Sequence, residues 1–161
     1  MSLHQEKQFQ ALLARFEDDF GDTLRQRREH AAAGKAFMRR FGQASQEFVW
    51  PLFSQLDDHL RAHGLATRLQ GSYSYDAEAS AMAEQVVLAI SLDKAIPREP
   101  SGPVAGLCLS ADSDSRQARL AVRSLTHPDV ERITELPLPE QWTADLVEEE
   151  ILAALEQVLF S

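Results

Sequence analysis

Residues 104–123 contain two runs of alternating apolar and polar residues, VAGLCLSA and RQARLAVR, on either side of the polar loop DSDS. Successive side chains of a β-strand point to opposite faces, so each run has one apolar face and the two together predict an antiparallel hairpin. We expect Leu107 to pair with Leu120 on the apolar face. On the other face we expect Cys108 to pair with Arg119, and we expect no other register to give agreement between the two runs.

Apolar residues three and four positions apart predict helices throughout residues 1–64. The first stripe comprises Phe9, Leu12, Leu13, Phe16, Phe20 and Leu24, and the second, in residues 35–63, comprises Phe37, Phe41, Phe48, Leu52, Leu56 and Leu60. We expect Gly34 to end or bend the first helix, so that the two helices form an antiparallel pair. Pro51 removes a backbone donor, which predicts a kink in the second helix near Phe48.

The rest of the chain has the pattern of strands followed by one more helix. Alternation indicates a first strand at residues 67–75 and a second at residues 86–93. A fifth strand near residues 130–136 is left open, because the alternation there is poor. Residues 144–160 have helical periodicity, and Thr143 precedes them as a candidate N-cap.

The order of these elements predicts an α+β fold with two long N-terminal helices, an antiparallel sheet of four or five strands, and a C-terminal helix. We assign residues 1–161 to a single domain. Within it, the helical pair occupies residues 1–64, the sheet residues 65–136 and the C-terminal helix residues 143–160. A length of 161 residues and an apolar fraction of 44% are ordinary for one globular domain.

The apolar runs and the single cysteine indicate where the protein works. No apolar run approaches the roughly 20 residues that span a bilayer, so we expect no membrane association. The first ten residues lack the basic stretch and apolar core of a signal peptide. One cysteine cannot form an intramolecular disulfide, which fits a reducing compartment. We therefore expect a cytoplasmic protein.

The net charge of −9 is unevenly distributed along the chain. Residues 1–64 contain nine basic and nine acidic side chains, whereas residues 65–161 contain seven basic and sixteen acidic ones. Binding to nucleic acid requires clustered positive charge, so an acidic surface of this kind argues against it. We expect no nucleic-acid partner.

The second face of the predicted hairpin is the candidate binding surface. It has small residues together with Cys108, Ser110, Arg119 and Arg123. An arginine beside the cysteine would favour the thiolate, and the guanidinium groups could hold a carboxylate or a phosphate. Two simpler explanations stay open: a lone cysteine is often a small buried residue, and the apolar residues on both faces favour cover by one of the protein's own helices.

We expect neither a metal centre nor a cofactor. The residues that come nearest to a metal site are His59 and His63, which stand four apart, so that both project from one face of a helix. No HExxH pattern accompanies them, and no further histidine is close in sequence. Basic side chains near the C-terminus of a helix are stabilising in any case, which explains the pair without a metal.

The sequence contains no recognisable catalytic motif, so our functional hypothesis is a noncatalytic cytoplasmic binding or adaptor protein. The phenylalanine-rich stripes exceed what two helices can conceal, which predicts a homodimer. The partner would be a protein or a small anionic ligand. The alternative is a small ligand-binding domain or an enzyme with a pocket around Cys108 and Arg119, so whether the protein is an enzyme stays open.

Overall fold

The computed structural model describes residues 2–75, 81–92 and 94–161. In chain order, the elements are α1 (Leu3–Ala44), a π-helical segment (Ser45–Val49), α2 (Trp50–Ala62), β1 (Ala66–Tyr75), β2 (Ala81–Ser91), β3 (Gly106–Asp112), β4 (Gln117–Arg123), β5 (Glu131–Leu136), a short 3-10 helix (Pro139–Gln141) and α3 (Ala144–Phe160). The α+β class is confirmed, and Asp93, predicted at the end of the second strand, lies outside the described residues.

The five strands form one antiparallel sheet in the order β1-β2-β3-β4-β5, so each strand pairs with its neighbour in the chain. The fifth strand is therefore present. Leu88, Leu107 and Leu120 point to one face and are completely buried beneath the helices. The alternation of the sequence assigned these residues to the apolar face correctly, because side-chain direction along a strand has a period of two.

The pairing within the β3–β4 hairpin differs from the predicted register by two residues. Leu107 pairs with Val122, and Cys108 pairs with Ala121 rather than with Arg119. A slip of two residues leaves every side chain on its original face, so alternation cannot detect it. The turn decides the register: the carboxylate of Asp112 accepts hydrogen bonds from the backbone N–H of Asp114, at 3.2 Å, and from the hydroxyl of Ser115, at 2.8 Å.

The predicted pair of N-terminal helices is wrong, because α1 is one helix of 42 residues that continues through Gly21 and Gly34. A glycine inside a helix costs about 1 kcal/mol, which the neighbouring residues can outweigh. At Gly34 the helix crosses the β3–β4 loop so closely that an added Cβ would lie 2.9 Å from the carbonyl oxygen of Ser113. Gly34 is therefore a crossing point, where the absence of a side chain lets the helix pass.

The irregularity that Pro51 predicts takes the form of the π-helical segment, which separates α1 from α2. Pro51 lies in the first turn of α2 and has no N–H to donate to the carbonyl four residues earlier. Instead, the N–H of Trp50 bonds to the carbonyl of Ser45, five residues back. α2 ends at Ala62, and Gly64 follows with a φ of 89°, a conformation that glycine adopts without strain.

The core lies between the apolar face of the sheet and the helices. Phe37 and Phe41 of α1 and Ile151 of α3 are buried in it together with the leucines of the sheet. The ring of Trp142 meets that of Phe41 edge to face at 5.9 Å, and its indole N–H donates to the carbonyl of Pro137 at 2.8 Å. Thr143 caps α3 as predicted, with its hydroxyl accepting from the N–H of Leu146.

The first part of α1, residues 3–32, extends away from this core, and we call it the arm. Its stripe of large apolar side chains is in solvent, with Phe9 49%, Phe16 46% and Phe20 52% exposed. The arm is about 45 Å long, since a helix rises roughly 1.5 Å per residue. Among the described helices, including α1, none is long and apolar enough to cross a membrane.

Replacing Gly34 by alanine tests the crossing point, with Gly21→Ala as the matched control. Gly34→Ala should lower the free energy of unfolding by about 1–2 kcal/mol, because the new Cβ would press on a backbone oxygen. Gly21 has nothing within 4 Å of an added Cβ, so Gly21→Ala should increase helicity without loss of stability. Urea unfolding and circular dichroism measure both effects, and equal stability of the two variants would contradict the close crossing.

Candidate functional site

The face of the sheet opposite the helices, which we call the open face, has three strands at its centre. It consists of Gln85, Val87 and Ala89 of β2, Gly106, Cys108 and Ser110 of β3, and Arg119, Ala121 and Arg123 of β4. Among the described residues, the helices pack on the other face, and the connection between β2 and β3 covers only one end of this one, through Ile96, Pro100 and Val104. The expected cover by one of the protein's own helices is therefore not observed.

Cys108 lies in the middle of the open face and is partly buried. Its cross-strand neighbour is Ala121, and the side-chain amide of Gln85 donates to Sγ at 2.9 Å. Burial raises the pKa of the Cys108 thiol, although the hydrogen bond from Gln85 acts in the opposite direction. The predicted cross-strand pairing with Arg119 is lost with the two-residue shift in register, and burial favours the neutral thiol.

The two arginines of the open face each lie opposite a glutamate of β5. Arg119 pairs across the strands with Glu135, and Arg123 with Glu131. Arg123 also forms an ion pair with Glu131, at 3.1 Å, and donates to the carbonyl of Pro128 at 2.8 Å. The positive charge of Arg123, one of the two arginines predicted to hold an anion, is therefore balanced by an ion pair, which weakens the case for a phosphate or carboxylate ligand.

The sequence did not identify the glutamates of β5 as part of this face. Glu131 and Glu135 stand four residues apart, as do Arg119 and Arg123, and this equal spacing is the signal that could have found them. It can be read only once β5 is known to pair antiparallel with β4. The poor alternation of β5 left that pairing open, because its side chains are mostly exposed on both faces.

A shallow depression of about 270 Å³ lies on the open face, and Cys108 and Arg123 are both among the residues that line it. Ser110 and Arg119 instead pair with each other across the strands. Gly106, with a φ of 144°, forms part of the wall, and an added Cβ there would lie 2.1 Å from the carbonyl oxygen of Leu88. Pockets for small molecules usually measure about 300–1,000 Å³, so this depression can take only a small ligand or one side chain of a partner.

The predicted histidine pair lies at the C-terminal end of α2. His63 is the C-cap of α2, and its Nδ1 lies 2.8 Å from the carbonyl oxygen of His59. Within residues 2–75, 81–92 and 94–161, no group of three or more His, Cys, Asp or Glu side chains is placed to hold a metal ion. The geometry therefore favours a role for His63 at the helix terminus.

Alanine variants of the two arginines should separate a structural side chain from a free one. Arg123→Ala should lower the free energy of unfolding by about 1–2 kcal/mol, because the carbonyl of Pro128 loses a charged donor. Within the described part of the chain, Arg119 bonds only to the side chain of Gln117, so Arg119→Ala should cost less than about 0.5 kcal/mol. Thermal and urea unfolding measure the difference; equal losses for the two variants would contradict this assignment.

Comparison of the chain with models of protein families, with curated proteins and with solved structures gives no match. What the protein binds must therefore be inferred from its own surfaces. Two of these have unusual features: the arm, with a stripe of apolar side chains in solvent, and the open face, with small residues and balanced charges.

Proposed function

We propose that the protein is a noncatalytic cytoplasmic binding or adaptor protein that acts as a homodimer. The observation that carries the proposal is the arm, a helical segment of 30 residues with phenylalanine and leucine side chains in solvent. A monomeric protein rarely exposes an apolar patch larger than a few hundred Å², and such patches mark interaction sites. The arm therefore has the character of an interface.

The apolar side chains of the arm provide enough area for a dimer. They are Leu3, Phe9, Leu12, Leu13, Phe16 and Phe20, each between 43% and 71% exposed. A large apolar side chain that is half exposed can still lose roughly 100 Å² to a partner. The stripe therefore supplies on the order of 600 Å² per copy, and two copies approach the roughly 1,200 Å² at the lower end of stable interfaces.

The open face is the second surface in this proposal. Small, partly exposed side chains such as Ser110 and Ala121 line this face, and the ion pair of Arg123 with Glu131 lowers its local charge. A neutral face with one shallow depression suits a segment of a protein partner better than an ion. The outer strand β5 has Glu131, Arg132 and Glu135, whose charges discourage unspecific pairing at the sheet edge.

Charges introduced into the apolar stripe should separate the copies. The double variant Phe16→Glu/Phe20→Glu should convert a dimer into a monomer at micromolar concentration, because two charges would be buried at the interface without partners. Light scattering measures the mass, and unfolding in urea should show that the core is unaffected. Ala11→Glu, on the opposite side of the arm, is the matched control and should remain dimeric. A monomeric parent protein would refute the dimer.

The second candidate function is a small ligand-binding domain or an enzyme that uses the depression on the open face. It is favoured by one observation, the presence of Cys108 and Arg123 in the wall of the same cavity. The raised pKa of the thiol argues against a nucleophilic cysteine. His127, the base nearest to the hairpin in sequence, lines a different cavity with Val122 and Ser161.

The reactivity of Cys108 tests the catalytic form of the second candidate. We expect iodoacetamide to react with the folded protein at pH 8 at about one tenth or less of its rate with the urea-unfolded chain, because only the thiolate reacts. The rate should rise with pH beyond the ordinary range for a thiol, as a raised pKa requires. Mass spectrometry measures it, with Cys108→Ser as the control. A folded protein that reacted faster than the unfolded chain would favour the catalytic candidate.

A further inference from the structure

We infer that two copies of the chain pair through their arms as an antiparallel coiled coil. In its register, the residue numbers of two facing core residues add up to 29, so that Leu13 of one copy faces Phe16 of the other. The inference rests on the homodimer proposed above and adds its geometry: which surface pairs, in which direction and in which register. A second copy is the occupant that the pattern of the arm fits best, as the spacing and the charges show.

The arm has the spacing of a coiled-coil seam. Phe9, Leu13, Phe16 and Phe20 follow one another at intervals of four, three and four residues, which are the a and d positions of two heptads. The positions are a at residues 6, 13, 20 and 27, and d at residues 2, 9, 16 and 23. The same frame continues to Phe37 and Phe41, which are buried against the sheet. The seam available to a partner is therefore confined to the arm.

An antiparallel pair aligns a positions with d positions, and the arm has one register that matches its apolar residues. When the numbers of facing residues sum to 29, Phe9 faces Phe20 of the second copy, and Leu13 faces Phe16 of the second copy. At the side of the seam, Leu3 then lies beside Leu24 of the second copy. Among the large apolar residues of the stripe, only Leu12 lies at the side of the seam without an apolar neighbour, because Asp19 of the second copy lies beside it.

Charges in the seam favour the antiparallel direction over the parallel one. A parallel pair would place Glu6 against Glu6 and Arg27 against Arg27, because equal positions face each other. Like charges at such a site are destabilising and act against the alignment. In the antiparallel register, Glu6 faces Thr23 and Arg27 faces Ser2, so no like charges meet in the seam. The arm is thus complementary to itself when reversed.

A membrane surface is a poorer occupant of the same stripe. Helices that lie on membranes have basic side chains on their polar face, which anionic lipids attract. The part of the arm that has the apolar stripe, residues 3–24, contains two basic side chains, Lys7 and Arg15, against five acidic ones, and the arginines at 25, 27 and 28 follow only at the end near the core. The acidic residues are Glu6, Glu17, Asp18, Asp19 and Asp22. The apolar stripe therefore lies among acidic rather than basic side chains, which favours a second copy over an anionic bilayer.

Disulfide trapping tests the direction and the register without removing an apolar residue. Glu6→Cys and Thr23→Cys are introduced separately into a Cys108→Ser background, since Cys108 is the protein's single cysteine. In the antiparallel register, residue 6 lies beside residue 23 of the second copy, whereas the two residues 6 are about 25 Å apart along the axis. A disulfide needs Cα atoms within about 7 Å, so neither variant should cross-link with itself.

Co-expression of the two variants followed by mild oxidation should produce a cross-linked dimer, and each variant alone should remain at least tenfold less cross-linked. Cross-linking of each variant with itself would show a parallel pair and overturn the inference. No cross-link in any sample, with a dimer mass in light scattering, would overturn the register but leave the proposed homodimer standing. A monomer in light scattering, or binding of the arm to lipid vesicles in place of dimerisation, would overturn both.

Discussion

The contact between residues 34–44 of α1 and the apolar face of the sheet determines the layout of the molecule. Phe37 and Phe41 are buried there, and Gly34 lets the helix cross the β3–β4 loop at close range. Because a helix is stiff, anchoring this C-terminal part of α1 fixes the direction in which the rest of the helix leaves the core. The 30 residues of the arm therefore project as one rigid element, and their apolar stripe cannot fold back onto the domain.

All three helices pack on the same face of the sheet, so among the described residues no helix covers the open face. α1, α2 and α3 all contribute to the core on the side of Leu88 and Leu107, so the described helices leave the open face to the β2–β3 connection. An antiparallel sheet tolerates this arrangement, since alternate residues can be polar or small on the exposed side. On the open face, β5 places Glu131 opposite Arg123, and the ion pair between them stabilises the face without making it an anion site.

The sequence predicted those features that depend on periodicity, and it failed where a single close contact decides. Alternation assigned Leu107 and Leu120 to the core face, yet a slip of two residues is invisible to it, and the hydrogen bonds of Asp112 set the true register. Gly34 has the appearance of a helix stop, but its role depends on the loop that α1 crosses, which is remote in sequence. The pairing of Arg123 with Glu131 required knowledge of β5.

An antiparallel pairing of the arms would also determine what the dimer can bind. In the register proposed above, the two crossing points at Gly34 lie about 60 Å apart along the paired arms, since they are separated by 39 helical residues. Each open face would then belong to a separate domain at the end of a stiff rod, free of the dimer contact. Two identical faces at a fixed distance favour a partner that presents two matching sites, because the second contact forms within the same complex. By pairing, the arms would make the two open faces selective for a partner with two sites at the matching distance, even if each face alone binds weakly.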